Sequence, residues 1–455
     1  MPSLIQTYKN LIIQTALSLT LTLILTFLKI PILFLQGLHT YIHPENVGQN
    51  NNNHGIRAAI RRPSTSESAA DLKRRHKSKD KFEFDENNAQ IFRLKLDEGH
   101  LQSRLYFNDY RYCFVCSFVG VSSLLLYRFL GVDGGGDDDD SGVLANGSLI
   151  PVSLAIVGSC EAFISLVKVS FEKSASKRSE KQLSLIFGAL GFVFGLIICF
   201  GVVQSVLDFD FGSVSVTVRF FVAAFMGCIV GLLYMPACKT ARSFWLGTDQ
   251  LRCNLGIIYC GWFARMILFG NYLLVVFTAL LWINPLADFL VNKHIDDDSN
   301  GAKAITSSGY AEQLVGNVGL SPADFSKLRL WCLLLSGLTQ IVALRSNLQM
   351  YLNEALLSWY QRLHASKVPD LDFSRAKVFL HNHHLCLAAL QFFAPPILVL
   401  LFVGLHCIDG KRFLVPFYNV FQELSLFMAW SVVFVSAVFT SANLVLYRCG
   451  IMYVS

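Results

Sequence analysis

Hydrophobic residues occur along this chain in long unbroken runs, and nine of the runs have about the length of a membrane-spanning helix. An apolar helix needs about 20 residues to cross a bilayer. The predicted segments are Leu11–Leu28, Tyr112–Phe129, Leu149–Phe171, Leu183–Leu207, Val214–Met235, Met266–Ile283, Leu328–Leu344, Leu385–His406 and Leu424–Leu446. We expect the fifth to end at Pro236. The pattern predicts an all-α, polytopic helical membrane protein with about nine transmembrane helices.

The first run has two interpretations. Lys9 and Lys29 flank it, and Pro31 follows. The bulky residues after Pro31 make a poor cleavage site, which favours a retained span or signal anchor over a cleaved signal peptide.

The seventh run continues without a Gly or Pro into a second helical stretch. Apolar residues at helical spacing share one face between 346 and 363: Leu348, Tyr351, Leu352, Ala355, Leu356, Trp359 and Leu363. Asn353, Glu354 and Arg362 fall elsewhere. The stretch is therefore either an amphipathic helix on the membrane surface or a helix packed against other cytosolic segments.

Composition divides the chain into a first helix with a short following segment (1–42), a largely disordered basic cytosolic loop (43–110) and a helical transmembrane domain (111–455). Within the loop, Arg61, Arg62 and Ser64 form a plausible phosphorylation site. Residues 73–81 are rich in Lys and Arg. They either touch anionic lipid or form a solvated charge run.

Composition and charge agree with a membrane protein. The 455 residues are 53% hydrophobic and 15% charged, with a formal net charge of +6. This small charge is concentrated in particular loops and does not suggest nucleic-acid binding. Basic and acidic loops alternate, which places the N-terminus outside and the C-terminus in the cytosol. Asn146, Gly147 and Ser148 form a glycosylation acceptor on the predicted outer side.

Charged and polar residues inside the runs are candidates for an intramembrane site. Glu161 lies near the centre of the third segment and Arg219 near the outer end of the fifth. Five amides add hydrogen-bonding groups: Gln204, Asn271, Gln340, Gln391 and Asn443. Either Glu161 and some of these groups line an ion or proton path, or Glu161 is a buried structural acid that is neutral or paired.

Two GxxxG motifs predict close helix packing. Gly191 and Gly195 lie in the fourth segment, and Gly227 and Gly231 lie in the fifth. Small residues let helix backbones approach in lipid, so we expect these consecutive segments to pack through their glycine faces.

The sequence carries no pattern typical of a catalytic, cofactor-binding or metal site. We find no Walker loop, no nucleophile triad pattern and no HExxH motif. His381 and His384 share a helical face before the eighth segment, but no carboxylate or cysteine completes a ligand set there. Ordinary hydrogen bonding of these histidines is favoured over metal binding or pH sensing.

Short residue groups across the chain resemble the transmembrane protein 161 family. They are Tyr41, His43 and Pro44; Pro285, Asp288, Phe289 and Leu290; Arg329, Leu330 and Trp331; Leu348, Gln349, Tyr351 and Leu352; and Leu390, Gln391, Pro395, Ile397 and Leu398. The resemblance implies a multi-pass integral protein without an assigned catalytic activity. It also implies a link to membrane excitability and ion currents, as in animal members. The long basic loop and the GGGDDDD turn depart from the family.

Two functional classes follow. The first is a non-enzymatic regulator or accessory partner of other membrane proteins, such as ion channels, in an endomembrane or the plasma membrane. The second is an ion channel or transporter that uses intramembrane polar residues. No internal repeat is evident between the two halves, which disfavours a transporter built from inverted repeats. The expected partners are the lipid bilayer and other membrane proteins, and the oligomeric state stays open.

Overall fold

A computed structural model describes residues 8–42, 91–131, 148–172, 178–202, 206–209, 211–212, 214–249, 260–287, 290, 321–365, 372–408 and 418–453. Its elements in chain order are α1 (Lys9–Phe27), α2 (Ile30–Leu35), β1 (His39–Ile42), β2 (Phe92–Lys95), α3 (Glu98–Gln102), α4 (Phe107–Gly131), α5 (Leu149–Phe171), α6 (Arg178–Cys199), α7 (Val216–Thr248), α8 (Trp262–Leu280), α9 (Asn284–Ala287), α10 (Pro322–Ala365), α11 (Asp372–His383), α12 (Leu385–His406) and α13 (Tyr418–Arg448).

The described residues contain nine helices that are long and apolar enough to cross a membrane: α1, α4, α5, α6, α7, α8, α10, α12 and α13. The chain is therefore an all-α, multi-pass membrane protein, and this prediction is confirmed. The outer helices expose large apolar side chains, such as Phe27 at 85% and Leu185 at 77%. Such faces are suited to contact with lipid.

Helix α12 lies at the centre of the bundle. The most apolar 18 residues of α12 are all buried, whereas only 11% of the corresponding residues of α1 are. Helices α4, α5, α7, α10 and α13 all contact it. Small residues let neighbours approach closely, since a Cβ added to Gly404 would lie 2.5 Å from Leu124 Cδ1. The most apolar helix is thus enclosed by protein, and its neighbours form the lipid boundary.

The prediction that the fifth segment ends at Pro236 is wrong. Helix α7 continues through Pro236 to Thr248. Proline removes one helical hydrogen bond, but surrounding helices can hold such a turn in place. The residues around Pro236 are buried, and the Thr240 hydroxyl donates to the Pro236 carbonyl oxygen at 3.0 Å. The last three turns of α7 therefore carry Lys239 and Arg242 into the protein interior.

The seventh segment and the stretch after it form one helix, α10. Its second half contacts α7, α11 and β1. Leu348 and Trp359 are completely buried, as the predicted apolar face requires. Asn353 and Glu354, which the pattern placed elsewhere, are buried too. Protein covers this part of α10 on more than one side.

Two strands and a short helix lie within or beside the segment predicted as a disordered loop. Strands β1 and β2 pair antiparallel, with Ile42 opposite Phe92 and His39 opposite Lys95. Gln349 of α10 extends this pairing, because its side chain accepts from the His39 backbone N–H and donates to the His39 carbonyl. Residues 43–90 lie outside the described residues. We call the side of the bundle that carries β1, β2, α2, α3 and α11 the hairpin end.

A buried arginine braces the opposite end of the bundle. Arg329 of α10 pairs with Asp208, and its Nε donates to the Leu281 carbonyl oxygen at 3.0 Å. Its guanidinium lies 4.8 Å from the Trp282 ring centroid and 4.4 Å from that of Phe325. Arg329 therefore ties the start of α10 to the turn after α8 and to the segment before α7.

Candidate functional site

Five helices enclose a cavity of about 40 Å³ within the bundle. They are α7, α8, α10, α12 and α13. Thr240, Asn271, Gln340, Asn347 and Gln391 supply much of its polar lining. We call this space the polar cavity. None of its lining residues carries a formal charge at neutral pH, so the cavity is suited to neutral polar groups.

Three amide side chains in the polar cavity have hydrogen-bonding atoms that no described residue satisfies. These atoms are Gln340 Nε2, Asn347 Oδ1 and Gln391 Oε1. Gln391 is 1% exposed and Asn347 is 4% exposed. Buried polar groups are almost always hydrogen-bonded, and the cavity volume has room for about three water-sized molecules. The chemistry of the lining therefore favours small, neutral hydrogen-bonding molecules.

Prolines add backbone acceptors near the same space. Pro395 and Pro396 lie inside α12, and proline supplies no N–H. The helical N–H partner is therefore missing for the carbonyls of Gln391 and Phe392. Both residues line the polar cavity, as does Pro395 itself. The prolines of the enclosed helix and the amide side chains thus meet at one place.

A group of charged side chains is buried between α6, α7, α10 and α11, towards the hairpin end. Arg242 Nη2 lies 2.8 Å from Glu180 Oε1, and Arg242 Nη1 lies 3.6 Å from Glu354 Oε1. Lys377 Nζ lies 4.0 Å from the same Glu354 oxygen. Lys239 is 6% exposed and acts electrostatically on both glutamates. We call these five residues the charge cluster.

Aromatic rings cover one side of the charge cluster. Lys239 Nζ lies 5.3 Å from the Tyr351 ring centroid, and the His381 ring stacks on Tyr351 at 4.6 Å. Burial lowers the pKa of His381 to about 4, although the Glu354 carboxylate opposes this shift. His381 is therefore neutral at physiological pH and adds no positive charge beside Lys239 and Lys377.

The charge cluster and the polar cavity are joined through α7 and α10. Ser243 of α7 donates to the Asn347 carbonyl oxygen at 3.2 Å, and Asn347 also lines the polar cavity. Asn443 of α13 donates to the Cys238 sulfur of α7 at 3.4 Å. These contacts tie α7 to α10 and to α13.

The structure places the predicted intramembrane residues Glu161 and Arg219 apart from the polar cavity. Glu161 is half-buried in α5, near the thiols of Cys113 and Cys116 on α4. Arg219 donates to the carbonyl oxygens of Val214 at 2.9 Å and Gly212 at 2.8 Å, and so braces the turn before α7. Neither residue is among the cavity lining.

Three of the five predicted amides do meet. Asn271, Gln340 and Gln391 all line the polar cavity. Asn443 instead contacts Cys238 and the Phe439 carbonyl oxygen. Gln204 lies outside the described residues. The pattern that identified polar residues within apolar runs therefore found the cavity amides but could not show which of them converge.

The glycines of the two GxxxG motifs lie where α6 and α7 approach most closely. A Cβ added to Gly227 would lie 2.9 Å from the Gly188 carbonyl oxygen, and one added to Gly195 would lie 2.9 Å from the Ala223 Cα. Gly191 faces Val230, and Gly231 faces Gly188 and Ser184. Gly188, which belongs to neither motif, lies one helical turn before Phe192 and takes part in the same contact.

Two predicted modification sites, Asn146 and Ser64, lie outside the described residues. The histidines considered as metal ligands instead form hydrogen bonds with backbone oxygens of the preceding helical turn. His381 Nδ1 lies 2.9 Å from the Lys377 oxygen, and His384 Nδ1 lies 2.9 Å from the Leu380 oxygen. Within the described ranges, no group of three or more His, Cys, Asp or Glu side chains could hold a metal ion.

Residues 202–408 match the family model described as predicted transmembrane protein 161AB. No solved structure matches the chain. The matched stretch covers just under half of the 455 residues. It contains Lys239, Arg242, Glu354 and Lys377 of the charge cluster and most of the polar-cavity lining. The resemblance of this chain to the transmembrane protein 161 family is therefore confirmed, and residues 202–408 carry it.

Proposed function

We propose that this multi-pass membrane protein is a non-enzymatic regulator or accessory partner of other membrane proteins, such as ion channels. The pairing of β1 with β2 carries the proposal. Because Ile42 lies opposite Phe92, the two ends of the hairpin that hold residues 43–90 lie side by side. A long polar segment with fixed, adjacent ends is suited to binding a partner while the bundle stays unchanged.

The charge of that segment supports the same function. Between Arg57 and Lys81 the chain has nine Lys or Arg residues and three Asp or Glu residues. Such a basic stretch attracts acidic protein surfaces and anionic lipid. Its attachment is firm, since Tyr41 donates to Asn353 of α10 at 2.9 Å and Asn382 of α11 donates to the Tyr41 carbonyl oxygen. The hairpin thereby attaches the segment to α10 and α11, the helices that carry Glu354 and Lys377 of the charge cluster.

Replacing residues 47–81 with a Gly-Ser segment of equal length tests the proposal. We expect an unchanged melting temperature, because the hairpin and the loop length are preserved. We also expect loss of the protein's effect on ionic currents in cells that express it. The measurement is whole-cell current with wild-type and replaced chains at equal surface abundance.

A matched control keeps residues 47–81 and removes three acidic side chains that follow them, by Glu83→Gln, Asp85→Asn and Glu86→Gln. This variant should modulate currents as the wild type does. Full modulation by the Gly-Ser chain would show that the segment is dispensable and would overturn this assignment.

A second function, a channel or carrier for a small polar solute, is favoured by the unsatisfied amides of the polar cavity. For ions we expect no flux through purified protein in sealed liposomes, because the cavity lining has no charged side chain to replace an ion's hydration. Glu161→Gln should leave this result unchanged, since Glu161 lies outside the cavity. Efflux of sodium, potassium, chloride and protons would be followed with fluorescent indicators.

Suppose that the wild type conducts one of these ions, that Gln391→Leu abolishes the flux and that Glu161→Gln preserves it. The protein would then be a pore that conducts through the polar cavity, and the regulator assignment would be wrong. Flux that Glu161→Gln abolishes would instead locate the path beside α4 and α5.

A further inference from the structure

A second cavity opens at the hairpin end and is separate from the polar cavity and the charge cluster. Its volume is about 140 Å³. Strand β1, the turn after α3 and helix α11 enclose it, and its lining residues are Tyr41, Ile42, Arg104, Arg375, Val378, Phe379 and Asn382. We call this space the hairpin cavity.

The lining of the hairpin cavity is basic. Arg104 and Arg375 face it from opposite elements, and none of the lining residues is acidic. Arg93 of β2 lies opposite Tyr41 in the hairpin and acts electrostatically on the Tyr41 hydroxyl. Three guanidinium groups therefore lie in or beside one space. A space lined by guanidinium groups and by no carboxylate is suited to an anion.

Arg104 lacks a counter-charge within the protein as described. Its Nε makes no hydrogen bond with a described residue, and no described carboxylate forms an ion pair with it. Burial lowers the pKa of its guanidinium, yet arginine keeps its proton at physiological pH. Arg104 is half-buried, and pairing with an anionic ligand would stabilise a partly desolvated charge of this kind.

The hairpin cavity lies close to the start of two apolar helices, α4 and α12. Arg104 lies three residues before α4 and acts electrostatically on Cys386, the second residue of α12. Both helices are long and apolar enough to cross a membrane. An anion in the cavity would therefore lie beside the first residues of two candidate spans.

We propose that the hairpin cavity binds a phosphomonoester group between Arg104 and Arg375, carried by an anionic lipid headgroup or by free phosphate. Guanidinium groups bind phosphate oxygens through paired N–H donors, a geometry that lysine does not offer. The volume accommodates one phosphate group with hydration, and the exposed Phe379 at the rim can contact a glycerol or inositol moiety.

The full chain in nanodiscs of neutral phosphatidylcholine provides the test. One series adds inorganic phosphate, and another adds a phosphorylated phosphoinositide to the disc. Melting temperature and bound lipid by native mass spectrometry are measured for wild type, Arg104→Gln, Arg375→Gln and Arg104→Lys. We expect ligand to raise the melting temperature of the wild type and each Gln variant to weaken binding about tenfold.

Arg111→Gln is the matched control, because Arg111 lies in the first turns of α4 near the same boundary but is exposed and outside the cavity. It should bind as the wild type does. If Arg104→Gln fails to fold, binding is compared for Arg104→Lys and Arg375→Gln. Lysine at position 104 retains the positive charge but lacks the paired N–H donors of a guanidinium group, so it should also weaken phosphate binding.

The two series separate the sources of phosphate. A response to the phosphoinositide alone assigns a lipid headgroup, and a response to inorganic phosphate assigns the free ion. No response in either series overturns the proposal. A response that Arg104→Gln and Arg375→Gln both retain also overturns it, because the anion would then bind elsewhere.

Discussion

Glu354→Gln should lower the free energy of unfolding by about 3 kcal/mol or more, since it removes one member of a buried ion-pair group. Glu354 contacts Arg242 at 3.6 Å and Lys377 at 4.0 Å, and it also acts on the buried Lys239. Glutamine keeps the size and shape of the glutamate side chain but removes its negative charge. Glu180 is then the one carboxylate of the charge cluster that remains to balance Arg242, Lys377 and Lys239. Unfolding by SDS in mixed micelles measures the loss.

The control is Glu98→Gln at an exposed ion pair. Lys29 Nζ lies 2.5 Å from Glu98 Oε1, but the two side chains are 54% and 40% exposed. Exposed pairs contribute about 0–1 kcal/mol, so this variant should unfold nearly as the wild type does. A second change, Lys239→Met, should recover part of the loss when added to Glu354→Gln, because it removes one uncompensated charge. Wild-type stability of Glu354→Gln would mean that the charge cluster does not hold the bundle together.

Pro236 explains why the sequence did not predict the charge cluster. A proline after a long apolar run ordinarily indicates the end of a helix, because it removes a hydrogen bond and clashes with the preceding turn. Here buried neighbours maintain the helix through that turn. Lys239 and Arg242, which follow this proline, therefore lie on α7, where Arg242 pairs with Glu354.

Long-range partners account for what the pattern missed on α10. The sequence predicted the apolar face with Leu348 and Trp359, and both are buried. It could not predict that Asn353 is buried as well, because the hydroxyl that bonds to it belongs to Tyr41, 312 residues earlier in the chain. The periodicity of apolar residues predicts a single buried helix face. Segments that are distant in sequence cover α10 on other faces as well, so polar residues on those faces are also buried.

The packing of α6 against α7 through glycines was easier to predict, because the spacing of the glycines and the order of the two helices can both be read from nearby sequence. Residues four apart share a helix face, so Gly191 with Gly195, and Gly227 with Gly231, each form a flat surface. Two consecutive spans joined by a short turn are ordinarily neighbours. These two rules predict that the glycines lie in one helix contact. They do not predict which residues lie opposite each other, such as Gly188 and Gly227, because that depends on how the other helices pack around the pair.

Gly191→Leu and Gly227→Leu should each separate α6 from α7. A Cβ at Gly191 would lie 2.6 Å from Val230 Cβ, and one at Gly227 would lie 2.9 Å from both the Gly188 carbonyl oxygen and Phe192 Cβ. Overpacking a tight contact costs about 1–3 kcal/mol, and leucine adds four side-chain carbons where even one does not fit. Dispersion between close backbones replaces the hydrophobic effect in lipid, so a wider spacing weakens this helix pair. We expect a lower melting temperature in detergent for both variants.

Gly270→Leu on α8 is the matched control for this pair of substitutions. Gly270 is exposed, and a Cβ there has no heavy atom within 4 Å. Leucine at this position faces the lipid and raises helix propensity, so stability should stay the same or increase. If Gly227→Leu and Gly270→Leu melt at the same temperature, α6 and α7 do not depend on backbone contact. The opposite result would identify this contact as a structural requirement of the membrane domain, because α6 has α7 as its main neighbour.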